Sequence, residues 1–280
     1  MRLTRKHLEL YIFGIWALSV LFDPLQVLSR LPFEVFEPVG VLHFLPEAVR
    51  RLLLGETFLF ALKAATLASL VWAMAGRAVW PAGLTASVLL TVYQGIVRGF
   101  GTINHDHLPM LYAVYLLSLF SLADEAVRRR DPGGFAARRA DLDRLAWVSI
   151  PAFMLIAYSF LGAYRFVFGG PALFASDALK QWILRNAHRE MYFVSWDPEA
   201  FLAAHPWVYT AVKTGFPAVT LVEFLAPLCL FVRPLRWVFL GVMIPFFFLN
   251  TLLMNIPFWQ NFMSCLLVFA VPYVLEEPAR

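Results

Sequence analysis

Charged residues are what this sequence has least of. Only 15% of its 280 residues are Asp, Glu, Lys or Arg, against 60% hydrophobic, and the mean hydropathy is +0.68. Soluble domains carry about 25% charged and roughly 45–50% apolar residues, so a water-soluble globule is excluded, as are a disordered chain and a collagen-like one. Cysteine is scarce as well. Cys229 and Cys265 both lie inside apolar stretches and form no C-x-x-C. That excludes a disulfide scaffold and reads as two buried small hydrophobes. No internal repeat is visible, which weighs against an inverted-repeat transporter. The net charge of +4 does not point to nucleic acid, because the basic excess is mostly arginine in short loops between apolar runs.

Long apolar runs are what the sequence has in place of charge, and in lipid such runs satisfy their backbone only as helices. The reading is an all-α polytopic transmembrane bundle, one integral membrane domain over 1–280. The runs fall near 8–29, 52–75, 79–98, 107–124, 145–168, 207–232, 236–255 and 257–275, which predicts eight spans. Arg2, Arg5 and Lys6 ahead of the first run resemble a secretory signal, but no small-x-small site follows, so an uncleaved first span is expected. Pro32–Pro46 is too broken by proline and acid to span and is expected to be interfacial or re-entrant. So is 171–206, where Ala175–His188 sets Asp177, Lys180, Gln181 and Asn186 against Leu179, Trp182 and Ile183. With the amino terminus inside, the 23 basic residues sort as thirteen in inner segments, seven in outer segments and three (Lys63, Arg165, Lys213) within spans. The loop 125–144, with six arginines, is cytoplasmic on this count, and both termini are cytoplasmic.

Ionisable groups inside spans cost several kcal/mol in lipid and are functional candidates. Here they are Glu56, Lys63, Arg165, Lys213 and Glu223; the bland alternative is interhelical pairing. Glu56 and Lys63 are two turns apart on one face, about 10 Å, which predicts partners on other helices. The sharpest local feature is Asn104-His105-Asp106-His107, at the outer mouth of the fourth span. Imidazole and carboxylate together can relay protons, although a polar helix entrance wetted by solvent has the same composition. His105 and His107 point about 200° apart on a helix, so they would share a metal only in a loop. With no supporting Cys or Glu-x-x-His elsewhere, no metal site is assigned. His7, His43, His188 and His205 read as structural. The topology brings Glu56, 104–107, Arg165, Lys213, Asn250 and Asn255 toward the outer face, which predicts one polar cavity there. Glu223 lies deeper.

This arrangement resembles the HTTM (horizontally transferred transmembrane) domain, the membrane portion shared by bacterial proteins and vitamin K-dependent gamma-carboxylase. Leu21-Phe-Asp-Pro24, Phe36-Glu-Pro-Val-Gly40 and Leu45-Pro46 are similar to the family's broken region after its first span. Asn104-His105 with Leu108 resembles its Asn-His-x-x-Leu motif. Phe160–Arg165, ahead of Asp177 and Trp182, resembles the segment carrying the base lysine. Leu221–Leu228 and Phe246–Asn250, through to Phe258, resemble two later helices. The resemblance implies a membrane fold with a quinone or vitamin K-like cofactor and a functional His105. Three departures stand against gamma-carboxylation. Tyr164-Arg165 replaces the lysine, and arginine stays protonated in proteins. The later helix has Phe247 where the family carries histidine, and these 280 residues hold no counterpart of the large lumenal domain.

The leading expectation is a stand-alone, bacterial-type protein of the cytoplasmic membrane, with an outward-facing polar pocket for a quinone- or lipid-like molecule. If it is an enzyme, His105 oriented by Asp106 is the acid/base and Arg165 or Lys213 stabilises an anion. Asn104, His107, Glu56, Lys63, Lys213, Glu223 and Asn250 then line the ligand site. The alternative is a non-enzymatic maturation factor that binds a membrane or secreted partner. A transporter ranks third.

Overall fold

The computed structural model describes residues 4–76, 78–100, 107–187, 197–254 and 259–275. All regular structure among them is helical. The chain forms two units, Met1–Trp147 and Val148–Arg280.

The first unit holds α1 (Arg5–Phe22), α2 (Glu47–Leu53), α3 (Glu56–Met74), α4 (Val79–Gly99), α5 (Leu108–Arg130) and the start of α6 (Phe135–Tyr164). α1 packs on α3 and α5, and α4 packs on α3 and α5. The buried face of α4 is Ala82, Gly83, Ala86, Ser87 and Leu90. Small side chains let helix backbones approach where lipid supplies no hydrophobic drive between helices. The buried hydroxyls of Thr66, Ser87 and Ser118 donate to the carbonyls of Leu62, Gly83 and Val114 at 2.7–2.8 Å, so they need no water. At the start of α1, the Thr4 backbone N–H donates to His7 Nδ1 at 3.1 Å; His7 is a cap.

Between α1 and α2 the chain makes three 3-10 turns, Leu25–Arg30, Phe33–Val35 and Gly40–Phe44. Pro32, Pro38 and Pro46 prevent a continuous helix. The segment is nevertheless docked on the end of α4. The Glu37 N–H donates to the Gly99 carbonyl at 2.8 Å, the Phe36 ring lies over Gly99, and Leu42 lies over Gly95.

The second unit holds the rest of α6, a π turn (Arg165–Gly169), α7 (Gly170–Ala175), α8 (Ala178–Ala187), α9 (Pro198–Ala204), α10 (Pro206–Phe224), α11 (Arg233–Met254) and α12 (Trp259–Leu275). α11 is central and touches α8, α9, α10 and α12. Its buried face, Phe239, Leu240, Met243 and Phe247, packs with Leu155, Tyr158, Cys265 and Val268. Both cysteines are buried and free. α8 has the two faces expected: Leu179 and Ile183 are buried, while Lys180 and Gln181 are exposed.

Among the described residues, five helices are long and apolar enough to cross a membrane: α3, α4, α5, α6 with its extension to Ala172, and α11. The three other expected spans are helical too. α1 carries Arg5, Lys6 and Glu9; α10 carries Lys213 and Glu223; α12 is 17 residues long. Large apolar side chains such as Phe60, Trp72, Phe160, Trp237 and Phe248 are exposed, a surface suited to a bilayer and not to water.

Candidate functional site

Each unit contains a polar centre inside an apolar surround. In the second unit the centre begins at Gly162. A methyl group there would lie 2.5 Å from the Phe224 backbone nitrogen and 2.9 Å from the Thr220 carbonyl oxygen, so only glycine lets α6 and α10 approach this closely. The Ser159 hydroxyl fastens the contact by donating to the Phe224 carbonyl at 2.7 Å. One turn later Arg165 Nη1 donates to Glu223 Oε2. Glu223 is completely buried, and its Oε1 has no partner among the described residues. Unpaired, such a carboxylate would carry a desolvation cost of several kcal/mol.

Aromatic rings enclose this pair. The Arg165 guanidinium carbon lies 5.4 Å from the ring centre of Phe216 and 5.9 Å from that of Phe246. Phe166 contacts Phe174 and Phe224, and Phe174 contacts Phe216. The π turn sets this geometry. It begins at Arg165, runs to Gly169 and is closed by Gly170, whose φ of +50° is one that L side chains rarely adopt.

Phe216 and Phe246 also line a cavity of ≈ 280 Å³ between α8, α10 and α11. Its wall is apolar, with Leu179 and Ile183 from α8, Val219 from α10 and Leu253 from α11; among the described residues Asn250 is its one polar side chain. The Asn250 amide donates back to the Phe246 carbonyl at 3.0 Å. Gly215 and Gly241 line it as well, and a methyl group on either would meet nothing within 4 Å. Asp177, just ahead of α8, accepts from Tyr209 at 3.2 Å and from Lys213 at 3.3 Å, both on α10. These two hydrogen bonds, the lysine's foremost, hold the Asp177 carboxyl below the usual carboxylate range although it is exposed.

In the first unit the centre is Asp23, the residue that caps α1. Its carbonyl accepts from Lys63 Nζ at 2.7 Å. Its carboxyl lies near the Tyr93 hydroxyl and in the field of Lys63 and His107. The His107 ring is tilted against Trp16, with centroids 6.0 Å apart. Four helices thus place a phenol, an ammonium and an imidazole around one carboxyl.

No family model, curated protein or solved structure matches this chain. Its chemistry rests on the two centres themselves.

Of the residues singled out from sequence, Lys63 and His107 both act on Asp23 in the first unit, while Arg165 and Glu223 pair directly in the second. Lys213 holds Asp177, and Asn250 lines the cavity. Glu56 is the exposed first residue of α3, where its charge complements the helix dipole. Asn104, His105, Asp106 and Asn255 lie outside the described residues. Sequence reasoning missed Asp23 and Tyr93. Asp23 was legible only as the end of an apolar run, and a tyrosine within a span carries no signal of its own. It also missed Arg5, counted among the inner basic residues. Arg5 is buried, bonded to Glu9 at 3.1 Å and Asp124 at 2.7 Å, with Asp143 at 3.9 Å.

Proposed function

We propose that this chain is a stand-alone HTTM-like protein of a bacterial cytoplasmic membrane. On this reading eight spans, formed by the five long apolar helices with α1, α10 and α12, place both termini in the cytoplasm. An outward-facing pocket binds a quinone- or lipid-like molecule. The observation that carries the reading is the buried Arg165–Glu223 pair set beside the apolar cavity of the second unit. Binding sites for small amphiphiles are concave, mostly apolar and supplied with a few placed polar groups. Here Arg165 offers donors, Glu223 an acceptor, and Phe216 and Phe246 a wall. Gamma-carboxylation is not proposed, since a guanidinium at 165 is no general base.

The test is to purify the protein in nanodiscs, extract what it retains and identify it by mass spectrometry. A stoichiometric quinone or lipid, lost when Phe246 and Asn250 are replaced in a variant that still folds, is the expected result. Equal retention by that variant would overturn the pocket.

A further inference from the structure

We infer that the cavity between α8, α10 and α11 takes a membrane amphiphile with an oxyanion head, an apolar chain lying between Gly215 and Gly241 and its carboxylate or phosphate on Arg165; this rests on the pocket proposed above. Two observations converge on it.

The first is size and lining. At ≈ 280 Å³ the cavity lies at the small end of the roughly 300–1,000 Å³ range of ligand sites, room for a stretch of an apolar chain. Gly215 and Gly241 stand where a side chain would project into open space, so this part of the wall is kept back by the absence of Cβ atoms. The surface around it is lipid-like, and a bilayer supplies apolar chains at high local concentration.

The second is the state of Arg165. Glu223 engages Nη1 alone, and no other donor of the guanidinium has a partner among the described residues, while 21% of the side chain remains accessible. A guanidinium fixed at one nitrogen and open at its others is a pre-organised receptor for oxygen anions, which it can bind in bidentate fashion. Phe216 and Phe246 connect the two parts of the site, since Arg165 lies over both rings and both line the cavity.

The experiment is photolabelling in nanodiscs, using diazirine-bearing chains on three heads: a fatty acid, a phosphatidylglycerol and an uncharged monoacylglycerol. Labelled peptides are mapped by mass spectrometry. The fatty acid or the phosphatidylglycerol should label 211–219 and 241–254 at least about tenfold more than the monoacylglycerol, as expected for a charge-assisted contact. The stronger of the two anionic probes identifies carboxylate or phosphate as the natural head. Gly241→Leu should fill the groove and abolish labelling with little change in thermal stability. Arg165→Gln alone strands Glu223, so the charge test uses Arg165→Gln with Glu223→Gln; labelling by the anionic probes should fall to the monoacylglycerol level. Equal labelling by all three heads in the unsubstituted protein would overturn the anionic head and leave the pocket standing. No labelling of these helices by any probe would overturn the pocket itself.

Discussion

Gly162 decides whether Arg165 reaches Glu223. Any side chain at 162 must push the Phe224 backbone away, and the ion pair one turn on depends on that approach. Overpacking of this kind costs about 1–3 kcal/mol. Gly162→Ala should therefore lower the thermal midpoint, whereas Gly215→Ala, which enters open space, should leave it unchanged. Differential scanning fluorimetry in detergent separates the two. The ion pair makes a second prediction. Arg165→Gln leaves a fully buried carboxylate unpaired and should cost about 3–5 kcal/mol. Adding Glu223→Gln should recover most of that loss, and a double-mutant cycle of unfolding free energies measures the recovery. Arg165 and Glu223 were legible in the sequence because charge is so rare in its apolar runs. Their partnership was not, since 58 residues separate them and no periodicity links α6 to α10. Asp23 and Tyr93 escaped for a related reason. Each becomes notable only when Lys63 and His107 arrive beside it from other helices.

At the scale of elements, α8 is an amphipathic helix held at its start by one exposed carboxylate. Asp177 accepts from Lys213 and Tyr209 on α10, and α8 supplies Leu179 and Ile183 to the cavity wall. The tether depends on pH in a definite direction. Asp177 has a lowered carboxyl pKa in the folded protein. Its contribution is thus fully present above the ordinary value of about 3.9 and is lost as pH falls through the lower folded value. A spin label on Lys180→Cys should stay ordered from pH 7 down to about that ordinary value and gain mobility only below it. Asp177→Asn should give the mobile spectrum at neutral pH. The two faces of α8 were readable from Leu179 and Ile183 against Lys180 and Gln181, and the broken course of 32–46 was readable from its prolines. The π turn at 165–169 was not. It needs one extra residue per turn, and no residue type announces that.

At the scale of the whole molecule, the sorting of basic residues is the main topological argument. With eight spans, labels at 131–134 and near Thr4 should face the cytoplasm, and labels in 33–44 the opposite side. Accessibility of single cysteines to a membrane-impermeant maleimide, in intact against opened cells, tests this, and reversed labelling at either position would break the alternation. Two arginines sorted by that rule turn out to hold structure as well. Arg236 is buried, donating to the Cys229 carbonyl at 2.6 Å and the Leu230 carbonyl at 3.0 Å. Arg5 bridges α1 to α5 and α6 through Asp124 and Asp143. Arg5→Lys should rescue little of the loss caused by Arg5→Gln in a thermal unfolding assay, because an ammonium cannot reach three carboxylates and the Phe120 carbonyl together.

The Arg5 cluster also imposes an order of events on synthesis. Asp124 follows Arg5 by 119 residues, which at about 5–20 residues per second is a delay on the order of ten seconds. During that interval Glu9 is the one of its three carboxylate partners that has been made. On the proposed topology the charge is then free to act as a cytoplasmic retention signal while the first helices insert. Only when the end of α5 and the start of α6 have been made can the same charge be withdrawn from water and locked between helices. On that topology one residue serves first as an orientation signal for the nascent chain and later as a clasp of the finished unit, and the timing of translation separates the two roles.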